Sequence, residues 1–294
     1  MKADVYQNDS LPASFVGSNF PESLAIVFSI RSVYPCDMSN EPEIVYGRQP
    51  VCELLRAGRR EVKQLVMANN VRRSSSAIMQ FLKLAEKRSL EVKSAALFEL
   101  DRLCRGGNHQ GVAAMVADYP YVELEEVLEG AKVRKLPMLL LLVDHVQDPQ
   151  NLGSMIRSAD AAGVNGVIIP RHRAVLVTPS VVRASAGATE HVPVVQVVNL
   201  HQAMLTLKEE GIRLVGLEGS SEAVPYEQAD LTGPIGVVVG SEEEGLGKLI
   251  RETCDVVVRL PMRGHVGSLN AAVAAAIAMF EVRRQQGLVV KNDL

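Results

Sequence analysis

Tryptophan is absent from this chain of 294 residues, and aromatic residues make up only 4% of it. Proteins that hold single-stranded nucleic acids commonly stack the bases on aromatic side chains. A chain so poor in aromatic residues is therefore not expected to use base stacking as its main mode of RNA binding.

Paired cysteines and long apolar runs are also missing. The four cysteines lie far apart without a C-x-x-C pair, at Cys36, Cys52, Cys104 and Cys254. This spacing argues against a zinc site and a disulfide framework, and it fits a reducing compartment. No run approaches the ~18 to 20 apolar residues of a membrane span. We therefore expect a cytoplasmic protein that binds neither membrane nor metal.

Two common nucleotide-binding fingerprints are missing as well. No strand-like segment is followed by G-x-G-x-x-G, so an ordinary dinucleotide site is not expected. The stretch G-L-G-K at residues 245–248 resembles part of a phosphate-binding loop. That motif would need Gly at position 242 and Ser or Thr at 249, where the chain has Glu242 and Leu249, so we reject it.

The net charge of −3 conceals an uneven distribution. Residues 42–118 hold 13 Lys and Arg against 8 Asp and Glu, a balance of +5. Residues 137–294 hold 13 against 17, a balance of −4. A basic first half is typical of a surface that faces a polyanion, although an ordinary solvated surface explains the charge equally well.

The chain divides into four segments by pattern. Residues 1–41 show no helical or strand period, and we expect a disordered tail; translation starting at Met38 is a hypothesis that would leave most of this tail untranslated. Residues 42–118 alternate short strands and helices and predict a small α/β domain. In its turn at residues 106–111, His109 is expected to brace the loop by hydrogen bonding. Residues 119–137 are charged and predict a linker with a short helix at 124–128.

Residues 138–294 predict a second, larger α/β domain. Continuous apolar strands alternate with helices, which favours a mostly parallel sheet covered on both faces. Three segments in this half each run from a strand through a polar, glycine-bearing loop to a helix, at residues 144–170, 233–248 and 260–283. Loops after parallel strands are where α/β proteins bind their ligands.

Each loop also has a plainer interpretation. Asp144 and Asp148 could bind a metal, but turn formation and helix capping before Pro149 are favoured for an Asp-Pro pair. Ser268 could be an N-cap of the last helix. Leu260 and Leu269, taken alone, are explained best by core packing.

Taken in order, the three segments resemble the motifs of the SpoU (TrmH-like) RNA ribose 2′-O-methyltransferases. The residues that carry the resemblance read D-P-Q-N-L-G-S-M-I-R, G-S-E-E-E-G and L-P-M-R-G-H-V-G-S-L-N. The resemblance covers roughly residues 44–287. Between the motifs, S-A-G-A-T-E-H-V-P-V at residues 185–194 resembles the RlmB-like branch, which modifies a guanosine of 23S ribosomal RNA.

The resemblance implies S-adenosylmethionine as cofactor and assigns site residues. The implied catalytic set is Asn151, Arg157, Glu242, Ser268 and Asn270. The implied cofactor site is lined by Gly240, Leu260, Met262 and Leu269. Methyl transfer from a sulfonium needs no metal, but it does require that two substrates are aligned and that the hydroxyl is helped to lose its proton. Because a guanidinium stays protonated in proteins, we expect the arginine to position and stabilise charge rather than accept the proton.

The resemblance also implies a trefoil knot in the C-terminal domain, a ribosomal-protein-like RNA-binding domain before it, and a homodimer formed through the alanine-rich helix at residues 271–278. The expected partner is large-subunit ribosomal RNA. Two alternatives stay open, a transfer-RNA ribose methyltransferase and a non-catalytic ribosome assembly factor. Asn151, Arg157, Ser268 and Asn270 together argue against the second, since a binding protein has no need of all four.

Overall fold

The computed structural model describes residues 42–132, 136–241, 245–265 and 267–287. The predictions on the tail, on Met38 and on Glu242 lie outside these residues. Residues 42–294 cluster into one compact unit, which is built on two sheets. None of the helices within the described ranges is long and apolar enough to cross a membrane.

The first sheet has four strands in the order β1-β4-β2-β3. The strands are β1 (Glu43–Tyr46), β2 (Val62–Ala68), β3 (Val92–Ala95) and β4 (Val112–Val116). The helices are α1 (Arg48–Ala57), α2 (Ser76–Lys87) and α3 (Leu97–Leu103). Helices α1 and α2 place Leu54, Leu55, Ile78 and Phe81 in the main core, whereas Leu100 of α3 packs in a separate cluster with Val66 and Ala68. Adjacent strand residues point to opposite faces, so helices cover both faces of this sheet.

The predicted linker contains a longer and more buried helix than its charge suggests. Helix α4 spans Leu124–Lys132. Its Leu124, Val127 and Leu128 are buried in the same cluster as the strands of the second sheet. A Cβ on Gly166 would lie 2.7 Å from the Val127 side chain, so a glycine is needed for this close packing. This segment therefore covers part of the second sheet.

The second sheet has seven strands in the order β7-β6-β5-β10-β8-β11-β9, and every neighbouring pair is parallel. The strands are β5 (Leu139–Val143), β6 (Gly166–Pro170), β7 (Val194–Val197), β8 (Arg213–Leu217), β9 (Val224–Pro225), β10 (Ile235–Val239) and β11 (Val256–Arg259). The helices are α5 (Pro149–Ala161), α6 (Pro179–Ala184), α7 (Leu200–Glu209), α8 (Lys248–Thr253) and α9 (Ala271–Gln285). The predicted parallel sheet is confirmed.

Strand β5 shows why its sequence is apolar throughout. Leu139, Leu141 and Val143 pack in the cluster that includes helices α5 and α9. Leu140 and Leu142 pack in the cluster of helices α7 and α8. A strand covered on both faces cannot alternate with polar residues. The trefoil knot that the resemblance implies stays a prediction.

Side-chain caps set the starts of helices α5 and α9. Helix α5 begins at Pro149, because Asp148 caps it and a proline at the first helical position sacrifices no hydrogen bond. Helix α9 begins at Ala271 with Asn270 as its N-cap, so the interpretation of Ser268 as the cap was wrong. The short helix α8 is the helix expected after the glycine-bearing loop of the segment at residues 233–248, and it begins at Lys248, the last residue of that segment.

A buried ion pair lies where the two sheets meet. Arg60 is only 4% exposed and Glu190 only 1%. The Arg60 guanidinium contacts the Glu43 carboxylate and lies 3.4 Å from Glu190 Oε1. Arg60 also donates to the Ala117 carbonyl at 2.7 Å. Tyr119 donates from its hydroxyl to the Thr189 carbonyl at 2.7 Å. We call this set, Glu43, Arg60, Tyr119 and Glu190, the junction.

Candidate active site

Asp144 directly follows β5 and holds two loops together. Its carboxylate is 1% exposed, contacts the ring of His145, and accepts a hydrogen bond from the Gly247 N–H at 3.0 Å. Its own N–H donates to the Val239 carbonyl at 2.8 Å. A Cβ on Gly247 would lie 3.3 Å from the carboxylate, which keeps this approach tight. The loops after β5 and β10 therefore meet at this carboxylate.

A metal centre is not supported in the part of the chain that the structure describes. These residues contain no group of three or more His, Cys, Asp or Glu side chains that could hold an ion. Asp148 is used as the cap of α5, where it accepts from the Gln150 N–H at 3.0 Å, so the expected capping role is confirmed. Burial raises the pKa of both Cys104 and Cys254 to about 12, which leaves neither thiol ionised at neutral pH.

Gly240, expected at the cofactor site, lies at the carboxyl end of β10 against the backbone of the following loop. A Cβ there would fall 2.0 Å from the Gly245 carbonyl oxygen. Ser241 and Gly245 exchange backbone hydrogen bonds at 3.1 and 3.0 Å. Only glycine permits this approach.

The centre of the candidate site is a hydrogen bond between two asparagines that are 119 positions apart. Asn270 Oδ1 accepts from the N–H groups of Ala272 and Val273 at 3.0 and 3.2 Å, so this oxygen caps helix α9. Its amide nitrogen is thereby turned towards Asn151 and donates to Asn151 Oδ1 at 2.8 Å. Asn151 is buried in the first turn of α5. The contact joins the start of α5, after β5, to the start of α9, after β11.

Arg157 and Ser268 lie near this contact in sequence, but both are exposed. Six residues separate Asn151 from Arg157, which rotates Arg157 by about 120° around the axis of α5. Asn151 therefore faces the protein interior while Arg157 faces outwards. The structure brings together Asn151 and Asn270 of the expected catalytic set, and it leaves Arg157 and Ser268 open to solvent.

The apolar residues expected to line the cofactor site are not core residues. Leu269 is 40% exposed and Met262 is 39% exposed, while Leu260 is half-buried. The core-packing alternative for Leu269 is therefore wrong. Strands β10 and β11 run parallel in one sheet, so Gly240 and Leu260 leave it at the same edge. This edge offers glycine-lined backbone and exposed apolar side chains, which is the surface an adenine ring requires.

Helix α9 presents two different faces. Ala271, Ala272, Ala275 and Ala278 are buried within the chain, where α9 packs against α5 and β10. The alanine face that was expected to pair two subunits is thus covered by the chain itself. The opposite side carries larger exposed side chains, Val273, Ile277 and Phe280.

The segment at residues 185–194, which resembles the guanosine-modifying branch, contributes Glu190 to the junction. Glu190 pairs with Arg60, and His191 Nε2 lies 2.9 Å from Glu53 Oε2 on α1. Burial, which outweighs the attraction of Arg60, raises the pKa of Glu190. Sequence reasoning missed this structural role, and it missed Asp144 as a loop clamp. The available signal for Asp144 was its position directly after a buried strand.

The comparisons with known proteins agree with this geometry. Residues 138–280 match the model of the SpoU rRNA methylase family, and residues 44–122 match the model of the RNA 2′-O ribose methyltransferase substrate-binding domain. A Bacillus subtilis protein, whose name assigns it to the TrmH family of tRNA/rRNA methyltransferases, is 39% identical over 252 residues, which covers 86% of this chain and 99% of that protein.

Solved structures show the same similarity. The SpoU methyltransferase AviRb from Streptomyces viridochromogenes is 29% identical, with a TM-score of 0.69, over 83% of this chain and 90% of its own. The same enzyme has also been solved in complex with AdoMet, at a TM-score of 0.67. An RNA 2′-O ribose methyltransferase is 28% identical, with a TM-score of 0.69, over 83% of this chain and 89% of its own. The chain belongs to the SpoU (TrmH) family of RNA methyltransferases.

Proposed function

We propose that this protein transfers the methyl group of S-adenosylmethionine to a ribose 2′-hydroxyl of ribosomal RNA, at a guanosine of the large-subunit 23S RNA. The observation that carries the proposal is the Asn270–Asn151 hydrogen bond at 2.8 Å, which fixes the starts of α5 and α9 at one edge of the parallel sheet. Residues 42–118 bind the substrate, residues 119–137 join the domains, and residues 138–294 perform the transfer. The absence of a disulfide among Cys52, Cys104 and Cys254 fits a cytoplasmic enzyme.

The residues at this edge suit S-adenosylmethionine, whose sulfonium makes the methyl group transferable without a metal. The close approach at Gly240 leaves backbone groups beside the cofactor's expected position, and half-exposed Leu260, Met262 and Leu269 supply apolar contact to its adenine. Asn270 holds the Asn151 amide in one orientation. The resemblance adds Glu242 to this site.

Arg157 and Ser268 act on the RNA in this proposal. The Arg157 guanidinium binds the ribose and its neighbouring phosphate, and it stabilises the negative charge that develops on the 2′-oxygen. Since a guanidinium does not give up its proton at neutral pH, a phosphate oxygen or water accepts the proton from the 2′-hydroxyl. Ser268 positions the ribose from the loop before α9.

A homodimer completes the proposed enzyme. Leu269, Val273, Ile277 and Phe280 follow one another at spacings of four, four and three residues, and are 40%, 47%, 37% and 50% exposed. A contiguous apolar stripe of this kind favours burial against a partner. The stripe lies on the side of α9 opposite the alanine face that packs on α5, so a second subunit can cover it without displacing α5.

Light scattering over a range of concentrations tests the dimer. The wild-type chain should have the mass of two subunits, and Ile277→Asp combined with Phe280→Asp should have the mass of one. Met79→Asp, which replaces an apolar residue that is 59% exposed on α2, is the matched control and should stay dimeric. A wild-type monomer at every concentration would refute the dimer.

Methylation assays test the function itself. Pure protein and labelled S-adenosylmethionine are incubated with protein-free large-subunit RNA, small-subunit RNA and transfer RNA, and with isolated ribosomal precursor particles. One alkali-resistant linkage, at a guanosine of the large-subunit RNA, is expected. Label in transfer RNA alone would assign the protein to the transfer-RNA alternative. No label in any of the four substrates would favour the non-catalytic assembly factor.

A further inference from the structure

A second candidate binding site lies in the first domain, away from the two asparagines. It is a cleft of about 440 Å³ between the start of α1, the loop after β2, the start of α3 and the loop at residues 106–111. Arg48, Asn70, Val71, Arg72 and Leu97 line it together with that loop. The cleft is shallow and wide open to solvent, so a ligand bound there would be covered on one side only.

The loop at residues 106–111 is fixed in place by specific hydrogen bonds. Gln110 accepts two hydrogen bonds from Arg48. The backbone N–H of Arg48 donates to the side-chain oxygen of Gln110 at 3.1 Å, and Arg48 Nε donates to the backbone carbonyl of Gln110 at 3.0 Å. His109 Nδ1 accepts from the Gly111 N–H at 3.0 Å, so its Nε2 carries the hydrogen and donates to Asp101 Oδ1 at 3.0 Å. The expected bracing role of His109 is confirmed. One wall of the cleft is therefore preformed.

The same loop contains strained backbone. Gln110 has a φ angle of +53°, a value that residues other than glycine rarely adopt. Strained backbone of this kind is concentrated at functional sites. Gln110 lines the cleft, so its strained backbone fits a wall that is shaped for a ligand.

The side chains of the cleft combine positive charge with an apolar surface. Arg48 and Arg72 line it, and the single acidic residue in its lining, Asp101, already accepts a hydrogen bond from His109. Leu97 is 44% exposed at the start of α3 and lies with Val71 in the same lining. The Asn70 amide offers both a donor and an acceptor. A ligand with a flat ring and an anionic group suits this lining, because the ring can pack on the apolar residues and the anion can pair with the arginines.

We infer that this cleft binds one unpaired nucleotide of the RNA substrate, at a position separate from the nucleotide that is methylated. The base packs on Leu97 and Val71, and a neighbouring phosphate pairs with Arg72. This inference rests on the proposed RNA methylation. It also accommodates the scarcity of aromatic residues, because an aliphatic surface takes the place of an aromatic one.

The cleft is connected to the candidate active site through α6. Arg183 of α6 donates to the Asn108 carbonyl in the cleft loop, and its guanidinium lies 5.7 Å from the centre of the Tyr46 ring. A Cβ on Gly107 would lie 2.6 Å from that ring. On its other side, α6 packs closely on α5 at Gly153. A nucleotide anchored in the cleft is therefore held at a fixed place relative to the helix that carries Asn151 and Arg157.

Binding of a fluorescein-labelled single-stranded RNA of about ten nucleotides, compared with the same sequence as a duplex, tests the inference. Arg72→Ala should weaken binding about tenfold and lower the dependence of log K on log salt by about one. Leu97→Ala should weaken binding of the single strand about tenfold and leave duplex binding unchanged. Both side chains are exposed, so circular dichroism should show an intact fold.

Matched control variants distinguish RNA binding in the cleft from a general attraction between the protein's positive charge and RNA. Arg73→Ala and Lys83→Ala remove the same charge outside the cleft, and Met79→Ala truncates another exposed apolar residue. Each should change binding by less than about twofold, since none of them lines the cleft. Three results would each overturn the inference. The first is an equal loss of RNA affinity in Arg72→Ala and Arg73→Ala, and the second is the same RNA affinity in Leu97→Ala and Met79→Ala. The third is that Leu97→Ala loses as much affinity for the duplex as for the single strand.

Methyl transfer distinguishes a failure of the inference from a failure of the proposed function. If the wild-type protein methylates RNA, Arg72→Ala and Leu97→Ala should raise KM for RNA about tenfold and leave kcat unchanged. Unchanged KM in both variants would refute the cleft alone. If the wild-type protein methylates no RNA, the proposed function fails, and the binding comparison still decides whether the cleft holds a nucleotide.

Discussion

The junction and the active-site edge use polar residues in opposite ways. At the junction, Arg60 and Glu190 are almost fully buried and are paired with each other. At the edge, Asn151 is buried, while Arg157 and Ser268 are exposed to solvent. A polar group that is enclosed must find its partners within the chain, whereas an exposed one is available to a substrate. Burial therefore separates residues that hold this protein together from residues that act on something else.

The largest effect is expected when the junction is broken. Arg60→Ala leaves Glu190 buried without its charge partner, and the free energy of unfolding should fall by about 3–5 kcal/mol. Arg56→Ala is the matched control, because its pair with Glu53 is partly solvated and should contribute less than about 1 kcal/mol. Urea unfolding measures both variants. Equal losses in the two would show that the junction is no more than a surface ion pair.

At the active-site edge, stability should change little and activity should fall. Asn270→Asp keeps an oxygen to cap α9 but loses the N–H that Asn151 accepts, and Arg157→Ala removes an exposed guanidinium. Each should lower the rate of methyl transfer at least about a hundredfold, or about 2.7 kcal/mol in the barrier. Ser154→Ala, also exposed on α5, is the control. Full activity in either variant would remove that residue from the catalytic set.

Two glycines within helices, Gly153 and Gly130, allow a packed position and a solvent-exposed position to be compared by their effect on stability. A Cβ on Gly153 would lie 2.4 Å from the Ala184 Cβ, and within 2.9 Å of the backbone at Val181 and Ser185. Gly153→Ala should therefore lower the free energy of unfolding by about 1–3 kcal/mol. Gly130, on α4, has open space around its Cβ position, so Gly130→Ala should raise it by about 0.5–1 kcal/mol. Thermal unfolding measures both, and effects of the same sign would contradict the packing.

The smallest effect is a dependence of stability on pH. Burial raises the pKa values of both Glu190 and Glu43 above 4.5, despite the attraction of Arg60. Between pH 4.5 and these raised values the folded state binds more protons than the unfolded state, so the free energy of unfolding falls as pH increases through this window. Glu190→Gln should flatten this slope, and exposed Glu222→Gln should leave it unchanged. A slope that Glu190→Gln does not alter would contradict the assignment.

The strands of the second sheet were the most predictable elements. Strand β10 (Ile235–Val239) is a run of apolar residues and glycine, and all five of its residues are buried. A strand covered on both faces must be apolar along its length. The linker was less predictable. Its charged residues suggested solvent, but the period of Leu124, Val127 and Leu128 buries one face of α4. Charge describes the exposed face only.

The site was predictable in its membership but not in its arrangement. The motifs placed Asn151 and Asn270 on two loops, and parallel strands bring such loops to one edge. Which atom of each amide faces the other depends on the cap of α9, which occupies Asn270 Oδ1. The sequence also could not predict that Leu269 is exposed or that the alanines of α9 face inwards, since alanine and leucine suit both a core and an interface.

The sequence by itself determined the parallel sheet, the motif loops and the family, because local hydrophobic period and residue spacing are properties of neighbouring positions. Only the tertiary structure decided that Glu190 holds the two sheets together, that Asp144 clamps a loop, and that Arg157 lies open to solvent. These roles depend on which distant groups meet and on how much water remains between them. Both are set by the packing of segments that are far apart in the chain.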